Sequence, residues 1–396
     1  MRTDCIEQPL KIFIAAGEVS GDRQAAYLAQ AILLKNPNVV LFGSGGEKMQ
    51  EAGVDVRIRT SHLGCVGFQE SFRYIKPLRE ILGDLRLILR DERPDIAVLV
   101  DNEGFNGLLA NFMHSLEIPF IYYFPPQVWL WGEWRARTIA RKARMIISAF
   151  PEEAEIYRKA GGHAVWFGHP LLDIVKASNN HSSVLGEVGL DPSLPMMAVM
   201  VGSRFQELEQ LAPPMLTAAR MIKERHPQIQ ILLPLAAPHF LHEVEREIAR
   251  AELTHQINII TNHVYACLSR CEVVLLSSGT ATLEAALLGV PMVVCYRVKP
   301  LTFFLGKHLV KARFIAMPNI LLNERVVPEF LQDEVTAERL ADETLAILES
   351  PTRVRLIRQN LQRIRPLLGS EGVLERTAAL ILQQAQEAHN PELIGA

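Results

Sequence analysis

Short apolar runs, each followed by an amphipathic helical stretch, recur from one end of the chain to the other. Apolar runs of roughly four to eight residues that alternate with helical periodicity are typical of βαβ units, whose parallel strands are buried on both faces. We therefore predict an α/β fold with strands at KIFIAA (11–16), DIAVLV (95–100), FIYYF (120–124), MIISAF (145–150), MMAVMV (196–201), IQILLPL (229–235), INII (257–260), VVLLSS (273–278) and MVVCY (292–296).

One polar segment, KASNNHSS (176–183), interrupts this rhythm and has the composition of a linker. We predict two doubly wound Rossmann-like domains, 1–172 and 173–350, that face each other across a crevice. The helices expected over 351–396 would pack back on the N-terminal domain or on a partner chain. Ligands of open α/β sheets bind beyond the carboxyl ends of the strands, so the loops that follow the strands are the candidate sites.

Composition narrows the class of protein. The 396 residues suffice for two domains, and 41 Lys and Arg against 44 Asp and Glu give a formal charge of −3, so no overall basic field favours a nucleic-acid partner. Five Cys, an odd number without disulfide or zinc spacing, indicate a reducing cytoplasm. The sequence has neither a signal-peptide core nor an apolar run long enough to cross a membrane.

Two loops of the first half carry candidate chemistry. Asp101 follows a buried strand and is our candidate general base, with Glu18 and Ser20 of the glycine-bounded loop 17–22 as further catalytic candidates. Alternatives are that Asp22 caps a helix starting at about Arg23 and that Asp101 forms an Asx turn or a helix cap. A third alternative is a D-x-E metal site in which Glu103 joins Asp101.

The loops of the second half predict a site for a nucleotide diphosphate. Backbone N–H groups and a guanidinium come together where Gly202, Ser203 and Arg204 follow a strand, and the helix that starts near Thr280 offers an anion site. Glu284 shares a helix face with Thr280 and could accept ribose hydroxyls. The alternatives are a turn with a surface Arg204 and a surface partner at Glu284. The predicted nucleotide-sugar residues are Gly202, Ser203, Arg204, Ser278, Gly279, Thr280, Glu284, Tyr296, Lys299 and Asn319.

Aromatic residues beside cations predict contact with lipid. Three tryptophans precede a run of basic residues, and two phenylalanines lie in LTFFL (301–305) upstream of further cations. We expect these residues to meet an anionic membrane surface, whereas the alternative is that the aromatics pack in a core. The residues concerned are Trp129, Trp131, Trp134, Arg135, Phe303 and Phe304.

Together these motifs resemble the lipid-A-disaccharide synthase family, whose members are glycosyltransferases of the two-domain GT-B type. The resemblance rests on AGEVSGD (16–22), DNEGFN (101–106), VWLW (128–131), FGHPLLD (167–173), GSR (202–204), SSGTATLEAALLGVPMVVCYRVKPLTFFL (277–305) and MPN (317–319). The chain reads D-N-E-G-F-N where the family usually has D-A-P-D-F-N. Pro125 and Gln127 stand where the family has serines, and Val201 replaces a proline.

The resemblance implies condensation of UDP-2,3-diacylglucosamine with 2,3-diacylglucosamine 1-phosphate to lipid A disaccharide 1-phosphate and UDP. It implies inversion, with no required metal and no cofactor. Asp101 matches the family's proposed base, Arg204 the arginine near the diphosphate, Glu284 the ribose-binding carboxylate and Asn319 an amide of the site. The expected location is cytoplasmic, peripheral on the inner face of the inner membrane.

Three other interpretations stay open from the sequence. A UDP-sugar 2-epimerase shares the two-domain fold, but its expected pair of acidic residues after the glycines is met here by Glu284 alone. Another glycolipid-forming transferase would use a different acceptor. A binding protein that senses nucleotide sugars without turnover is the third, and the sequence also leaves a homodimer open.

Overall fold

The computed structural model describes residues 9–61, 63, 68–178, 184–299 and 313–390. The chain forms two compact units, and it passes from unit 1 to unit 2 between Pro170 and Leu171, two residues before the boundary expected from the sequence. Unit 1 also includes the described C-terminal residues, Ser370 to Asn390. Among the described residues, no helix has the length and apolar character needed to cross a bilayer.

Unit 1 is built on a seven-stranded parallel sheet. Along the chain its elements are β1 (Lys11–Ala16), α1 (Val19–Lys35), β2 (Val40–Gly45), α2 (Glu47–Glu51), β3 (Asp55–Arg59), α3 (Phe68–Glu92), β4 (Ile96–Val100), α4 (Glu103–Ser115), β5 (Phe120–Tyr123), α5 (Ala136–Ala140), β6 (Met145–Ile147), α6 (Pro151–Lys159) and β7 (Ala164–Val165). The strand order is β3-β2-β1-β4-β5-β6-β7.

Alternation along each strand supplies two cores, one on each face of this sheet. In β1, Ile12 and Ile14 belong to the core under α1, whereas Phe13 and Ala15 belong to the core under α3, α4 and α6. This period of two is what a strand buried on both faces requires. Burial on both faces explains why the strand 11–16 is almost entirely apolar.

Unit 2 repeats the plan with a six-stranded parallel sheet of order β10-β9-β8-β11-β12-β13. Its elements are α7 (Leu171–Ser178), α8 (Val184–Glu187), β8 (Met196–Met200), α9 (Phe205–Arg225), β9 (Gln230–Pro234), α10 (Leu241–Arg250), β10 (Ile257–Ile260), α11 (Val264–Leu268), β11 (Val273–Ser277), α12 (Thr280–Leu287), β12 (Met292–Tyr296), α13 (Met317–Leu322), β13 (Glu329–Leu331), α14 (Ala337–Leu348) and α15 (Pro351–Gln362).

The C-terminal helices are divided between the units, where the sequence suggested one region over 351–396. Helix α15 lies in unit 2, and the last helix, α16 (Val373–His389), lies in unit 1. Buried Ala378 and Ile381 of α16 join the core that contains Leu28 and Ile32 of α1. The guanidinium of Arg376 donates to the carbonyl oxygen of Phe167 at 2.9 Å, which fixes the start of α16 on unit 1.

Candidate active site

Two predicted catalytic residues of unit 1 lie together at the point where the strand order reverses. Strands β1 and β4 are neighbours, and their continuations lead to opposite sides of the sheet, so the loops after them open a crevice at the carboxyl edge. Ser20 lies in the first turn of α1, which follows β1, and Asp101 lies in the loop after β4. The hydroxyl Oγ of Ser20 lies 3.5 Å from Oδ2 of Asp101.

The backbone at Asp101 adopts an unusual conformation that the neighbouring residues enforce. Asp101 and Asn102 have φ of 54° and 40°, in the left-handed region that Asn and Asp enter most readily. The side-chain amide of the buried Asn106 donates to the carbonyl oxygens of Val100 at 2.9 Å and of Asp101 at 2.8 Å. The hydroxyl of Tyr122 lies 3.3 Å from the same Asp101 carbonyl oxygen. The position of Asp101 is therefore built into the sheet edge.

The cap of α4 is Asn102 rather than Asp101. Oδ1 of Asn102 accepts from the backbone N–H of Phe105 at 3.1 Å. The alternative in which Asp101 caps the helix is therefore wrong. Gly17 allows this arrangement, because a Cβ there would lie 2.7 Å from Nδ2 of Asn102.

Neither of the other two carboxylates in this region, Glu18 and Asp22, caps helix α1. Helix α1 begins at Val19, preceded by Glu18, whose side chain makes no capping bond to it. Asp22 lies inside α1, 4% exposed, and accepts backbone N–H bonds at the start of α2, from Gly46 at 2.7 Å and from Lys48 and Met49. Burial raises the pKa of Asp22 despite these bonds. The alternative in which Asp22 caps its own helix is wrong.

Glu103 forms an ion pair with Arg135. The guanidinium also donates to the carbonyl oxygens of Trp131 at 2.9 Å and Gly132 at 3.2 Å, and its carbon lies 3.6 Å from the centre of the Trp131 ring. Arg135 is 8% exposed, and burial lowers its pKa. Arg135 therefore does not present its charge to an anionic membrane surface, and Glu103 is committed to this pair rather than to a metal ligand set with Asp101.

The three predicted interfacial tryptophans have different environments. Trp129 donates its indole N–H to Oε1 of Glu153 at 3.2 Å, whereas Trp131 is 40% and Trp134 is 77% exposed. Trp129 is partly buried, so the last two are the more exposed of the three. The predicted lipid contacts Phe303 and Phe304 lie outside the described residues.

Glu153 is a buried carboxyl group that the sequence did not single out. It is fully enclosed, and its second oxygen accepts from the backbone N–H of Ala149 at 3.2 Å. Burial raises its pKa to about 8. The nearby His169, also buried, has its pKa lowered by burial to about 3. Both side chains are thereby favoured in their neutral forms inside unit 1.

In unit 2 the strand order reverses between β8 and β11, and two predicted phosphate loops follow these strands. Gly202, with φ of 112°, leads into Ser203 and Arg204 immediately before α9. Buried Glu207 accepts from the backbone N–H of Ser203 and from the guanidinium of Arg204, both at 2.9 Å. A Cβ at position 202 would lie 2.4 Å from Oε2 of Glu207, so the turn requires glycine.

The second loop leads into the N-terminus of α12. Gly279 has φ of 152°, and Thr280 is the first helical residue. The hydroxyl of Ser278 donates to the carbonyl oxygen of Ile315 at 2.7 Å, which ties the loop to a neighbouring segment. Gly279 is exposed and Thr280 partly so, and helix N-termini of this kind favour anions through their N–H groups and dipole.

Glu284 lies inside α12 and is 1% exposed. The alternative in which it is a surface partner of Thr280 is therefore wrong. Tyr296 ends the adjacent strand β12, where burial and then the Glu207 carboxylate raise its pKa while Arg204 lowers it. Lys299 is exposed. The carboxyl edge of unit 2 thus brings Arg204, Glu207 and Tyr296 close together.

Asn319 is buried and bonded at both ends of its amide. Its Nδ2 donates to the carbonyl oxygen of Val327 at 2.9 Å and to Oε1 of Glu329 at 2.8 Å. Its Oδ1 accepts from the backbone N–H groups of Val326 at 2.8 Å and Val327 at 2.9 Å. In this arrangement Asn319 orders the chain before β13 instead of offering its amide to a nucleotide sugar, which corrects the sequence expectation.

The sequence did not single out two buried carboxyl groups, Glu153 beneath Trp129 and Glu207 at the phosphate loop. The spacing of Arg204 and Glu207, three residues apart on a helix, is a usable signal for the second. Nothing in the local sequence marks Glu153. Among the described residues, no group of three or more His, Cys, Asp or Glu side chains is placed to hold a metal ion.

Two parallel-sheet α/β units, each with a glycine loop at the switch point of its sheet, define the class of GT-B glycosyltransferases and the UDP-sugar epimerases that share their fold. A putative UDP-N-acetylglucosamine 2-epimerase from Listeria monocytogenes superposes with a TM-score of 0.64 at 14% identity, covering 97% of each chain. At this identity the likeness establishes the fold alone.

The family follows from sequence comparison. The family model described as Lipid-A-disaccharide synthetase matches residues 12–383. The lipid-A-disaccharide synthases of Geobacter metallireducens and Geobacter sulfurreducens are 37% and 36% identical over 373 residues, which cover 94% of this chain and 97% of each relative. This chain belongs to the lipid-A-disaccharide synthase family. It is a glycosyltransferase, and the family match favours this activity over the epimerase alternative.

Proposed function

We propose that this protein condenses UDP-2,3-diacylglucosamine with 2,3-diacylglucosamine 1-phosphate, forming lipid A disaccharide 1-phosphate and releasing UDP with inversion. Family membership supports the substrates. The observation that carries the chemistry is the position of Asp101, a carboxylate at the end of β4 with Ser20 beside it and a backbone fixed by Asn106. A base at the carboxyl end of a strand is placed where ligands of such sheets bind.

In this proposal Asp101 takes the proton of the acceptor's 6-hydroxyl. The acceptor oxygen forms a bond to the anomeric carbon of the donor sugar while the bond from that carbon to the diphosphate oxygen breaks. The leaving UDP keeps the electron pair. Ser20 and Glu18 act at the acceptor side, where the hydroxyl of Ser20 orients the Asp101 carboxylate.

The residues of unit 2 bind the nucleotide. Arg204, the N–H groups of the loop at Gly202 and Ser203, and the N-terminus of α12 stabilise negative charge that grows on the diphosphate. Fixed donors of this kind need no reorganisation during the reaction. The family resemblance supports Glu284 as the carboxylate for the ribose hydroxyls, although its side chain is 1% exposed in this structure. The remaining predicted residues of this edge, Ser278, Gly279, Thr280, Tyr296 and Lys299, complete the proposed nucleotide site.

We further propose that the protein acts on the cytoplasmic face of the inner membrane, with exposed Trp131 and Trp134 at an anionic lipid surface. Binding to anionic vesicles that weakens with salt would support the electrostatic part, because exposed charges are screened over about 8 Å at physiological ionic strength. Equal binding to neutral and anionic vesicles would contradict it.

The test of the reaction is UDP release from UDP-2,3-diacylglucosamine by the purified protein, with and without 2,3-diacylglucosamine 1-phosphate and with EDTA. We expect release that depends on the acceptor and survives EDTA, together with a disaccharide detected by mass spectrometry. Conversion of the donor to an epimer without acceptor would instead support the epimerase. Nucleotide binding without turnover on this acceptor would refute the proposed reaction.

A further inference from the structure

A cavity of about 230 Å³ lies in unit 1 beside the loop that carries Asp101. Its walls come from α4, β5 and the segment around α5. Ala110, Phe120, Tyr122 and Ile139 make the wall largely apolar. The cavity is smaller than the roughly 300–1,000 Å³ of pockets that hold drug-sized ligands, so it suits a slender group rather than a sugar ring or a nucleotide.

The cavity is directly connected to the candidate catalytic loop. Tyr122 contributes to its wall, and the hydroxyl of the same Tyr122 lies 3.3 Å from the carbonyl oxygen of Asp101. Glu103, two residues after Asp101, also lines the cavity with its partner Arg135. An occupant would therefore lie against the residues that hold the candidate base.

The surface of the cavity is mostly apolar, and its charged groups are one ion pair and one cation. Glu103 is paired with Arg135, and the ammonium of Lys142 contacts Oδ1 of Asn111 at 2.5 Å. Trp134, 77% exposed, supplies an aromatic surface at the solvent side. An apolar wall with an aromatic and cationic margin matches an amphiphile whose hydrocarbon part enters and whose polar part stays outside.

We propose that this cavity binds one hydrocarbon chain of an acylated substrate and thereby selects acyl-chain length. The proposal rests on the proposed function for the identity of the substrate, but the binding of a chain can be measured independently of turnover. Hydrophobic transfer predicts about a fourfold change in affinity for each methylene that enters or is excluded.

Gly107 provides a way to fill the cavity. It lines the cavity within α4, and a Cβ built there meets no atom within 4 Å. Glycine is unfavourable in a helix interior, so replacing Gly107 by a larger residue does not oppose the fold locally. Gly83 in α3 is also helical with open space around its Cβ, but it does not line the cavity, which makes Gly83→Leu a matched control.

Chain binding is tested by quenching of tryptophan emission with brominated dodecanoate. The contribution of Trp134 is isolated by comparison with Trp134→Phe. We expect quenching of Trp134 in the wild type and in Gly83→Leu, and its loss in Gly107→Leu. Equal quenching in Gly107→Leu and the wild type would overturn the proposal, whatever the turnover.

Selection of chain length is tested by KM for acceptors of graded acyl length. We expect Gly107→Leu to shift the preference to shorter chains, raising KM for long chains about 10-fold or more. We expect Ile139→Ala, which enlarges the cavity, to shift it to longer chains. An unchanged preference in both variants would overturn the selection of length. Selective quenching without turnover on any acceptor would leave the chain site standing and refute the proposed reaction.

Discussion

Replacing Asp101 with Asn tests the proposed base with little disturbance of the fold. The side chains have nearly the same shape, and Asn is well tolerated at the left-handed φ of 54° that this position adopts. The bonds that fix the loop reach the carbonyl oxygen of residue 101, from Asn106 and Tyr122, so they do not depend on the carboxylate. Asp101→Asn therefore removes the basic carboxylate and leaves the backbone conformation of the loop and its hydrogen bonds in place.

The expected loss follows from the role of a general base. Positioned acid or base groups contribute about 10²- to 10⁴-fold in rate, which corresponds to about 3–5 kcal/mol of transition-state stabilisation. Ser20→Ala should cost less, below about 10-fold, because the contact between Ser20 and Asp101 is 3.5 Å, at the outer limit of hydrogen bonding. The two variants thus separate the base from its neighbour.

The assay is the rate of UDP release at saturating donor and acceptor, accompanied by calorimetric titration with UDP and by thermal unfolding. We expect Asp101→Asn to lose turnover while its UDP affinity and unfolding midpoint stay near those of the wild type. Asp91→Asn, an exposed position at the end of α3 in the same unit, is the control. A turnover within about fivefold of the wild type, in a folded Asp101→Asn protein, would exclude Asp101 as the base.

Three further predictions concern ionisable side chains of the two units. Arg204→Ala should weaken UDP binding by about 10-fold or more, since a charge-assisted bond is worth about 1.5–3 kcal/mol, and unchanged affinity in calorimetry would remove Arg204 from the nucleotide site. Glu207→Gln should also weaken UDP binding, because the carboxylate of Glu207 orders Ser203 and Arg204. Glu247→Gln is the control, since Glu247 is equally buried and also paired with an arginine, and we expect its UDP affinity to be unchanged. Tighter UDP binding by Glu207→Gln would mean that Glu207 chiefly neutralises Arg204. Because the pKa of Glu153 is raised from 4.5 to about 8, the folded protein keeps a proton there that the unfolded chain releases, so the contribution of Glu153 to stability falls as pH rises between these values, by up to about 1.4 kcal/mol per pH unit. His169, whose pKa is lowered from 6.5 to about 3, contributes the opposite slope below about pH 6.5, so the comparison with a Glu153 variant isolates the carboxyl group. Glu153→Gln should flatten this slope in denaturant titrations, and equal slopes in both proteins would contradict the assignment.

Local pattern determined most of the two sheets. Every strand predicted from an apolar run is present in the structure within a few residues. The sequence missed β2, β3, β7 and β13, whose signals are weak. In β2 the apolar run is broken by Gly43, which is required because a Cβ there would lie 1.8 Å from the carbonyl oxygen of Ile14. A glycine demanded by a neighbouring strand lowers the local strand signal at the place where the sheet needs it.

The candidate loops were also visible in the sequence. Asp101 directly follows β4, and Arg204 ends the short loop between β8 and α9, and the parallel arrangement of the sheets places such positions at the carboxyl edge. Family resemblance supplied the substrates, which no periodicity or spacing contains. Chain order and strand type together were therefore enough to place the candidate loops at the carboxyl edges of the two sheets.

Tertiary structure decided what each polar side chain does there. Asp22 binds the start of α2, 24 residues or more away along the chain, and Glu103 pairs with Arg135, 32 residues away. Asn319 is enclosed by the chain that leads into β13, and α16 returns to unit 1 from the far end of the sequence. The residue types make each of these side chains able to bind a ligand. Only the fold, by bringing distant donors and acceptors together, decides whether such a side chain bonds to other residues of the protein instead of a ligand.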